Sequence, residues 1–234
     1  YIWPKHSHRR RRRRSTLKRL CAVIAARGGS KRVKNKNIRP FGSSNLLIRK
    51  LQQLKKIKEI DEIFVNSDSE KILKIAKKQR VSTTRRPKKY ATGQAKINDV
   101  YVEVVKKVPS KNILFIHITS PFIKLDTIKK CIKKYFNLPK KYDSLATVTK
   151  FKKFLWMKNK SVNYIPSKMP RSQDLPEYYY LNFAVNILPK KLILKKKNII
   201  GSNFYPFFLS EFESFDIDTI EEFEVGNKIA SSRK

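Results

Sequence analysis

Short runs of apolar, often β-branched residues recur along the chain, and longer segments between them repeat apolar residues every three or four positions. A short continuous apolar run is typical of a strand buried on both faces, whereas the longer spacing is typical of an amphipathic helix. The runs predict strands at 20–26, 62–66, 113–119, 144–149 and 182–188.

Helical stripes lie between these runs and predict helices whose apolar faces turn toward a sheet. The stripes are Leu47, Leu51, Leu54 and Ile57; Ile72, Ile75 and Ala76; Ile97, Val100, Val104 and Val108; and Ile128, Ile132 and Phe136. Strands that alternate with single helices indicate βαβ units and a parallel sheet covered on both faces. The alternation breaks at about 150–180, which predicts an arm inserted into an open, three-layer α/β domain.

The charge balance changes this picture, because 55 Lys and Arg against 18 Asp and Glu give a net charge of +37. Such an excess is typical of proteins that bind nucleic acid or another anionic surface. The alternative is that most of the lysines are scattered over solvated helix faces, as an AT-rich genome would encode. Residues 1–19 hold nine of the basic residues, including an unbroken arginine run at 9–14, and no acid. We expect 1–19 to be a disordered leader, which could bind nucleic acid or direct nuclear import in a eukaryote, and 20–234 to form one folded domain.

The two cysteines, Cys21 and Cys131, stand far apart and form neither a CxxC pair nor a disulfide framework. That usage is typical of a reducing compartment, so we expect a cytoplasmic protein. No apolar stretch approaches the roughly 20 residues that a membrane-spanning helix needs.

The loop after the first predicted strand, AARGGSKRVKNKN at 25–37, places five basic residues around two glycines. In open α/β sheets, ligands bind beyond the carboxyl ends of the strands. Gly28 and Gly29 would allow a left-handed backbone, a close approach of the chain and an anion-binding nest of N–H groups, and Arg27 could bind phosphate oxygens. The P-loop and GxGxxG patterns are absent. The loop alone leaves a nucleotide phosphate, a nucleic-acid backbone and a structural role open.

A tight acidic pair stands near the end of the chain, in Phe-Asp-Ile-Asp-Thr at 215–219. Carboxylates two residues apart on an extended segment point to one face and suit a divalent cation that also binds phosphate oxygens. The alternative is a helix cap, in which Asp218 or Thr219 begins the helix that follows near Ile220.

Five segments, taken in order, resemble the acylneuraminate cytidylyltransferases, also called CMP-sialic acid synthetases. They are 24–37, 86–93 (Arg-Pro through Ala-Thr-Gly), 119–121 (Thr-Ser-Pro), 173–182 (Gln-Asp-Leu-Pro through Asn) and 216–219 (Asp-Ile-Asp-Thr), and the resemblance extends from about 20 to 228. It implies a Rossmann-like nucleotidyltransferase fold and a cytidylyltransferase domain at 20–234. The implied reaction transfers CMP from CTP to the anomeric hydroxyl of a sialic-acid-like nine-carbon 2-keto sugar acid and releases pyrophosphate.

The resemblance also implies roles for individual residues. Arg27, Lys31 and Lys36 would hold the triphosphate on the loop formed by Gly28, Gly29 and Ser30, and Asp216 and Asp218 would carry Mg²⁺. Asn37, Arg86, Ala91 and Gly93 would recognise ribose and cytosine. The sugar side would comprise His117, Thr119, Ser120, Arg171, Gln173, Tyr180 and Asn182. The inserted arm would reach into the pocket of a second copy, so a homodimer is implied.

The sugar side departs from the family pattern while the nucleotide side matches it. His117 stands where many members have Gln, Tyr180 where an Arg is often found, Phe183 where Gly is common, and Ser172 separates Arg171 from Gln173. These departures keep three alternatives open: a cytidylyltransferase for the eight-carbon 3-deoxy-octulosonate, a member that binds CTP without catalysis, and a basic nucleic-acid-binding α/β protein.

Overall fold

The structure, a computed structural model, describes residues 18–30 and 32–232, so the arginine run and nearly all of the leader lie outside it. The strands are β1 (Lys18–Ala25), β2 (Pro40–Phe41), β3 (Ser44–Asn45), β4 (Glu62–Ser67), β5 (Ser82–Arg85), β6 (Ser110–Ile116), β7 (Ser144–Phe151), β8 (Trp156–Met157), β9 (Lys160–Ser161), β10 (Tyr178–Pro189) and β11 (Phe204–Phe208). The helices are α1 (Leu46–Leu54), α2 (Glu70–Lys78), α3 (Ile97–Lys106), α4 (Leu125–Phe136), α5 (Lys190–Lys196) and α6 (Ile220–Ser232).

Seven strands form one sheet in the order β11-β7-β10-β6-β1-β4-β5. All of its pairings are parallel except those of β10, which runs antiparallel to both β6 and β7. The predicted open, mostly parallel α/β sheet is therefore confirmed. None of the helices in the described part of the chain is long and apolar enough to cross a membrane.

Buried side chains alternate between the two faces of the central strands. In β1, Leu20, Ala22 and Ile24 join one apolar cluster, and Cys21 and Val23 join the other. Because both faces are covered, β1 reads as a continuous apolar run rather than as an alternating one.

The chain between β7 and β10 leaves the sheet as an arm, residues 152–177, that contains the hairpin β8–β9 and two 3₁₀ turns. Since β10 returns antiparallel beside β7, the arm begins and ends at the edge where the parallel strands end. This is the edge at which open α/β sheets bind ligands.

Candidate nucleotide-binding site

A pocket of about 420 Å³ opens at the carboxyl ends of the central strands. Five of the predicted site residues line it together: Arg27, Arg86, Gly93, His117 and Asp218. Aromatic and aliphatic residues of α3 and the preceding loop, including Tyr90 and Tyr101, complete the wall. Both the size and the mixed lining are typical of a small-molecule site.

Arg86 is held rigidly at this pocket. It is only 6% exposed, and its Nε donates to Oδ1 of Asn66 at 2.7 Å. Burial lowers the pKa of Arg86, nearby Asp68 opposes the change, and Arg27 adds to it. A guanidinium stays charged at any physiological pH. The two arginines therefore create a positive potential that suits a polyanion such as a triphosphate.

The glycine pair does not form the nest expected from the sequence. Neither Gly28 nor Gly29 has a left-handed φ, and the N–H of Gly28 already donates to Oδ1 of Asp68 at 2.9 Å. A Cβ on Gly28 would lie 2.7 Å from the Cβ of Ser69. Gly28 therefore allows the predicted close approach of the chain, here between the loop and the start of α2, whereas the prediction of left-handed glycines was wrong.

Two further residues of the loop bind the backbone carbonyls of the loop itself. Asn37, predicted to contact ribose or cytosine, is buried and donates its amide to the Arg27 carbonyl at 3.0 Å. Ser30 donates its N–H to the Gly28 carbonyl at 3.2 Å. Both residues hold the loop in shape rather than facing the pocket. Lys31 lies outside the described residues.

The basic loop meets the acidic pair. Lys36 donates to the Ile217 carbonyl and lies 3.3 Å from Oδ1 of Asp218, and Arg32 binds the same oxygen at 2.9 Å. The Ile217 N–H in turn donates to the Thr119 carbonyl at 2.9 Å. Segment 215–219 is thus fixed between the loop after β1 and the loop after β6.

The cap and the acidic site fall on different residues. Thr219 Oγ1 accepts from the Glu222 N–H at 3.2 Å, and Glu222 Oε2 accepts from the N–H groups of Asp218 and Thr219 at 2.6 and 2.8 Å. This is a capping box for α6. Because Thr219 and Glu222 supply the cap, the carboxylate of Asp218 is left to line the pocket.

Asp216 carries an unpaired buried atom. Its Oδ1 is buried without a hydrogen-bond partner, although a buried carboxylate oxygen ordinarily has one. Fully buried Ile217 separates it from Asp218, and both acids lie near enough to His117 to oppose the lowering of its pKa. Within the described residues, no group of three or more His, Cys, Asp and Glu forms a complete metal cage. Two carboxylates and open positions fit Mg²⁺, which keeps water and phosphate among its ligands.

His117 is the only predicted sugar-side residue among the pocket's lining. Its pKa is lowered by burial, against the opposing effect of Asp216 and Asp218. Thr119 supplies its carbonyl to Ile217, as described above. Ser120 is fully buried with its carbonyl bound to Lys50 at 3.0 Å, so the structure does not present it to a ligand.

The other predicted sugar-side residues lie elsewhere in the chain. Arg171 and Gln173 lie exposed on the arm, where Arg171 binds Asp174 at 2.8 Å. Tyr180 is exposed on β10, and the buried amide of Asn182 is bound by Thr147 and Thr149. Ala91 ends a short 3₁₀ turn outside the lining. The arm residues therefore do not reach the pocket of their own chain.

Sequence reasoning missed three supporting residues. Asn66 accepts from Arg86, and Asp68 accepts from the N–H of Gly28. Their place at the carboxyl end of β4 was a signal that could have identified both. Lys50 supports the loop after β6, and its position three residues after Leu47 and four before Leu54 places it on the apolar face of α1. A lysine on such a stripe is a usable signal, because lysine is almost never fully buried without a partner.

Comparison with known proteins gives consistent results. A family profile described as cytidylyltransferase matches residues 21–222. The pseudaminic acid cytidylyltransferase of Campylobacter jejuni is 28% identical over 89% of this chain and 94% of its own length. The N-acylneuraminate cytidylyltransferase of Streptococcus agalactiae is 25% identical over 88% of this chain and 52% of its own length.

The fold has a matching solved structure. A CMP:2-keto-3-deoxy-manno-octonic acid synthetase complexed with CTP superposes with a TM-score of 0.72 at 13% identity, covering 93% of this chain and all of the other. This confirms the Rossmann-like nucleotidyltransferase fold. The matched profile and relatives confirm the resemblance drawn from the five segments: the chain belongs to the cytidylyltransferase family of nucleotidyltransferases.

Proposed function

We propose that this chain transfers CMP from CTP to the anomeric hydroxyl of a sialic-acid-like nine-carbon 2-keto sugar acid and releases pyrophosphate. The observation that carries the proposal is the convergence of Arg27, Arg86 and Asp218 on one pocket beside Asp216. The family supplies CTP as the nucleotide, and the names of both relatives contain a nine-carbon sugar acid. We propose the cytoplasm as the compartment, from the cysteine usage alone.

The nucleotide side is built to hold a triphosphate in a fixed position. Arg27 and Arg86 line the pocket together with Asp218, and Asp68 acts on Arg86 from beside the loop. A triphosphate would bring its negative charge to the two guanidinium groups. Lys36 stands beside Asp218 and would contact phosphate oxygens from the other side. Thr92 and Gly93 line the end of the pocket where the ribose and base would lie.

Asp216 and Asp218 are the residues that would hold Mg²⁺. When bound, Mg²⁺ would neutralise the charge that develops on the phosphate oxygens. The chain's own contribution is to position the groups. Lys36 fixes the Ile217 carbonyl, Thr119 fixes its N–H, and the capping box fixes the N–H of Asp218. The reaction then needs little covalent chemistry from protein, because positioned cations stabilise the charge that leaves with pyrophosphate.

The sugar side supports a homodimer. The arm exposes Trp156, Met157, Ile165 and Met169 to 56, 67, 62 and 63%, which is unusual for side chains so apolar. Arg171 and Gln173 lie on this same arm, away from their own pocket. We propose that the arm of one copy covers the pocket of the other, so that each sugar subsite is completed by the partner.

Pyrophosphate release from CTP and Mg²⁺ tests the reaction. The acceptors would be N-acetylneuraminate, legionaminate, pseudaminate and the eight-carbon 3-deoxy-octulosonate. Release with a nine-carbon acid is the expected result. Pyrophosphate release only with the octulosonate would show that the acceptor is the eight-carbon acid, and the proposed CMP transfer would stand. CTP binding without pyrophosphate release would indicate a non-catalytic member. Nucleic-acid binding without any CTP binding would overturn the proposal.

Mixing two inactive variants tests the dimer. Asp216→Asn removes a carboxylate beside the pocket and Arg171→Ala removes the arm contribution. If the site is shared, subunit exchange restores intact sites in the mixed dimers, about a quarter of all sites at equal amounts. Sedimentation measures the dimer itself. A monomer, or a mixture no more active than its parts, would contradict the shared site.

A further inference from the structure

Phe183 has a backbone conformation that a phenylalanine rarely adopts. Its φ is +56°, in the left-handed region that favours glycine. The other left-handed residues besides glycine in the described ranges lie at turns or just after helices: Asn35, Arg80, Lys158, Asn159 and Lys197. Phe183 is the one that lies inside a strand.

A bulge in β10 imposes this conformation. Leu181 pairs with Val148 and Asn186 with Ala146, so residues 182–185 of β10 stand opposite Thr147 alone. Asn182 accepts from Thr147 Oγ1 at 2.6 Å and donates to Thr149 Oγ1 at 2.8 Å. The same Thr147 hydroxyl accepts from the Val185 N–H at 3.0 Å. A buried network therefore fixes the bulge, and glycine would fit it without strain.

The Phe183 ring lies next to the pocket. It is parallel to the His117 ring within 14°, with the ring centroids 6.1 Å apart. The backbone N–H of His117 also donates to the Ala184 carbonyl at 3.3 Å. Both the backbone of β10 and the Phe183 ring therefore lie against His117. Phe183 itself packs against the core cluster behind the sheet, and His117 is the member of the pair that lines the pocket.

His117 and Phe183 stack on each other, and each differs from the residue that is common at its position in the family. Strained backbone persists where the surrounding structure fixes it and is concentrated at functional sites. The face of an aromatic ring favours the C–H or methyl surface of a sugar over its hydroxyl groups, because hydroxyls lose hydrogen bonds to water there, whereas the ring nitrogens of an imidazole can bind hydroxyls.

Building on the proposed function, we propose that Phe183 is a positioning residue that holds the His117 ring as a wall of the acceptor subsite. The wall selects a nine-carbon acid that presents a deoxygenated, acylated tail rather than a hydroxylated one. The chain keeps a strained phenylalanine because this contact contributes to acceptor choice.

The test compares two acceptors with the same ring configuration, N,N'-diacetyllegionaminate with the deoxygenated, acylated tail and N-acetylneuraminate with the hydroxylated tail. The quantity measured is the ratio of their kcat/KM values. The wild type should prefer the first. Phe183→Gly, and Phe183→Asn, which also tolerates the left-handed backbone, should reduce the preference by about tenfold or more, the low end for one methyl-sized contact. Phe183→Tyr should retain it.

Two controls separate specificity from structure. Lys197→Gly relieves a similar φ of +52° at the end of α5 and should leave the preference unchanged. The KM for CTP should be the same in all variants. An unchanged preference in both Phe183→Gly and Phe183→Asn would overturn the inference, as would a wild type that prefers the hydroxylated acceptor or uses neither. Pyrophosphate release with pseudaminate or the octulosonate would leave the proposed transfer standing in that last case.

Discussion

Lys50 carries a quantitative prediction about stability, because it is a buried cation without an acidic partner. It is 2% exposed on the apolar face of α1, and its Nζ donates to the Ser120 carbonyl at 3.0 Å and to Gln53 Oε1 at 3.1 Å. None of the ion pairs found in the described ranges includes it. Burial, together with neighbouring Arg49, lowers the pKa of Lys50 from 10.5 to about 7.

The sign follows from proton linkage. Between pH 7 and 10.5 the unfolded chain binds a proton at Lys50 and the folded chain does not, so the free energy of unfolding rises with pH through this window. Below pH 7 both states are protonated and the full penalty for the buried charge is present. A pKa shift from 10.5 to about 7 corresponds to a penalty of about 5 kcal/mol.

Lys50→Met removes both the charge and its hydrogen bonds. Losing the bonds to Ser120 and Gln53 costs about 1 kcal/mol each, and the bare Ser120 carbonyl adds about 1 more. At pH 6 the variant should therefore be more stable than the wild type by about 2 kcal/mol, and near pH 10 less stable by a similar amount.

Urea unfolding at a series of pH values between 6 and 10 measures both proteins, and Lys74→Met, an exposed lysine on α2, is the matched control. The control should differ from the wild type by the same small amount at every pH. If the difference between Lys50→Met and the wild type were likewise independent of pH, the buried lysine would not have a lowered pKa and the reasoning would be refuted.

Three further predictions concern the site. Asp216→Asn should reduce pyrophosphate release by about 100-fold or more while the melting temperature stays equal or rises, because its Oδ1 is buried without a partner; retained turnover would exclude a catalytic role. Thr219→Ala should lower the free energy of unfolding in urea by about 1 kcal/mol through loss of the cap, and an unchanged value would contradict the capping box. Arg86→Lys should raise the KM for CTP about tenfold, because lysine cannot reproduce the Nε contact to Asn66; an unaffected KM would show that the guanidinium does not hold the nucleotide.

The sequence predicted the central strands because each is buried on both faces and reads as an apolar run. It missed β5 and β11 because they are edge strands that need less apolar surface. β5 is Ser-Thr-Thr-Arg, and β11 contains Pro206, which only an edge strand accommodates easily. The apolar pattern could not predict that β10 runs antiparallel to its neighbours, since this direction depends on the arm returning to the same edge of the sheet.

The topology also explains which of the predicted site residues meet at the pocket. Arg27, Arg86 and Asp218 lie at strand ends or on a short extended segment, and their meeting follows from the parallel topology. Asn37 and Asn182 match motif positions equally well, yet their amides bind the protein itself. Spacing cannot distinguish a ligand contact from a backbone contact, because both require a polar residue at the same place.

Several of the few acids in this basic chain hold the backbone in place. Asp61 accepts from the N–H groups of Arg19 and Leu20, and Asp143 from those of Ser202 and Asn203. Glu213 and Glu222 hold the starts of α4 and α6 in the same manner. These carboxylates keep their charge while they fix loops and helix starts, and at the pocket Asp218 lies among the residues that line it with Arg27 and Arg86. A triphosphate would bring negative charge to the two arginines at the pocket, so the positive charge there is consistent with a nucleotide as well as with a nucleic acid.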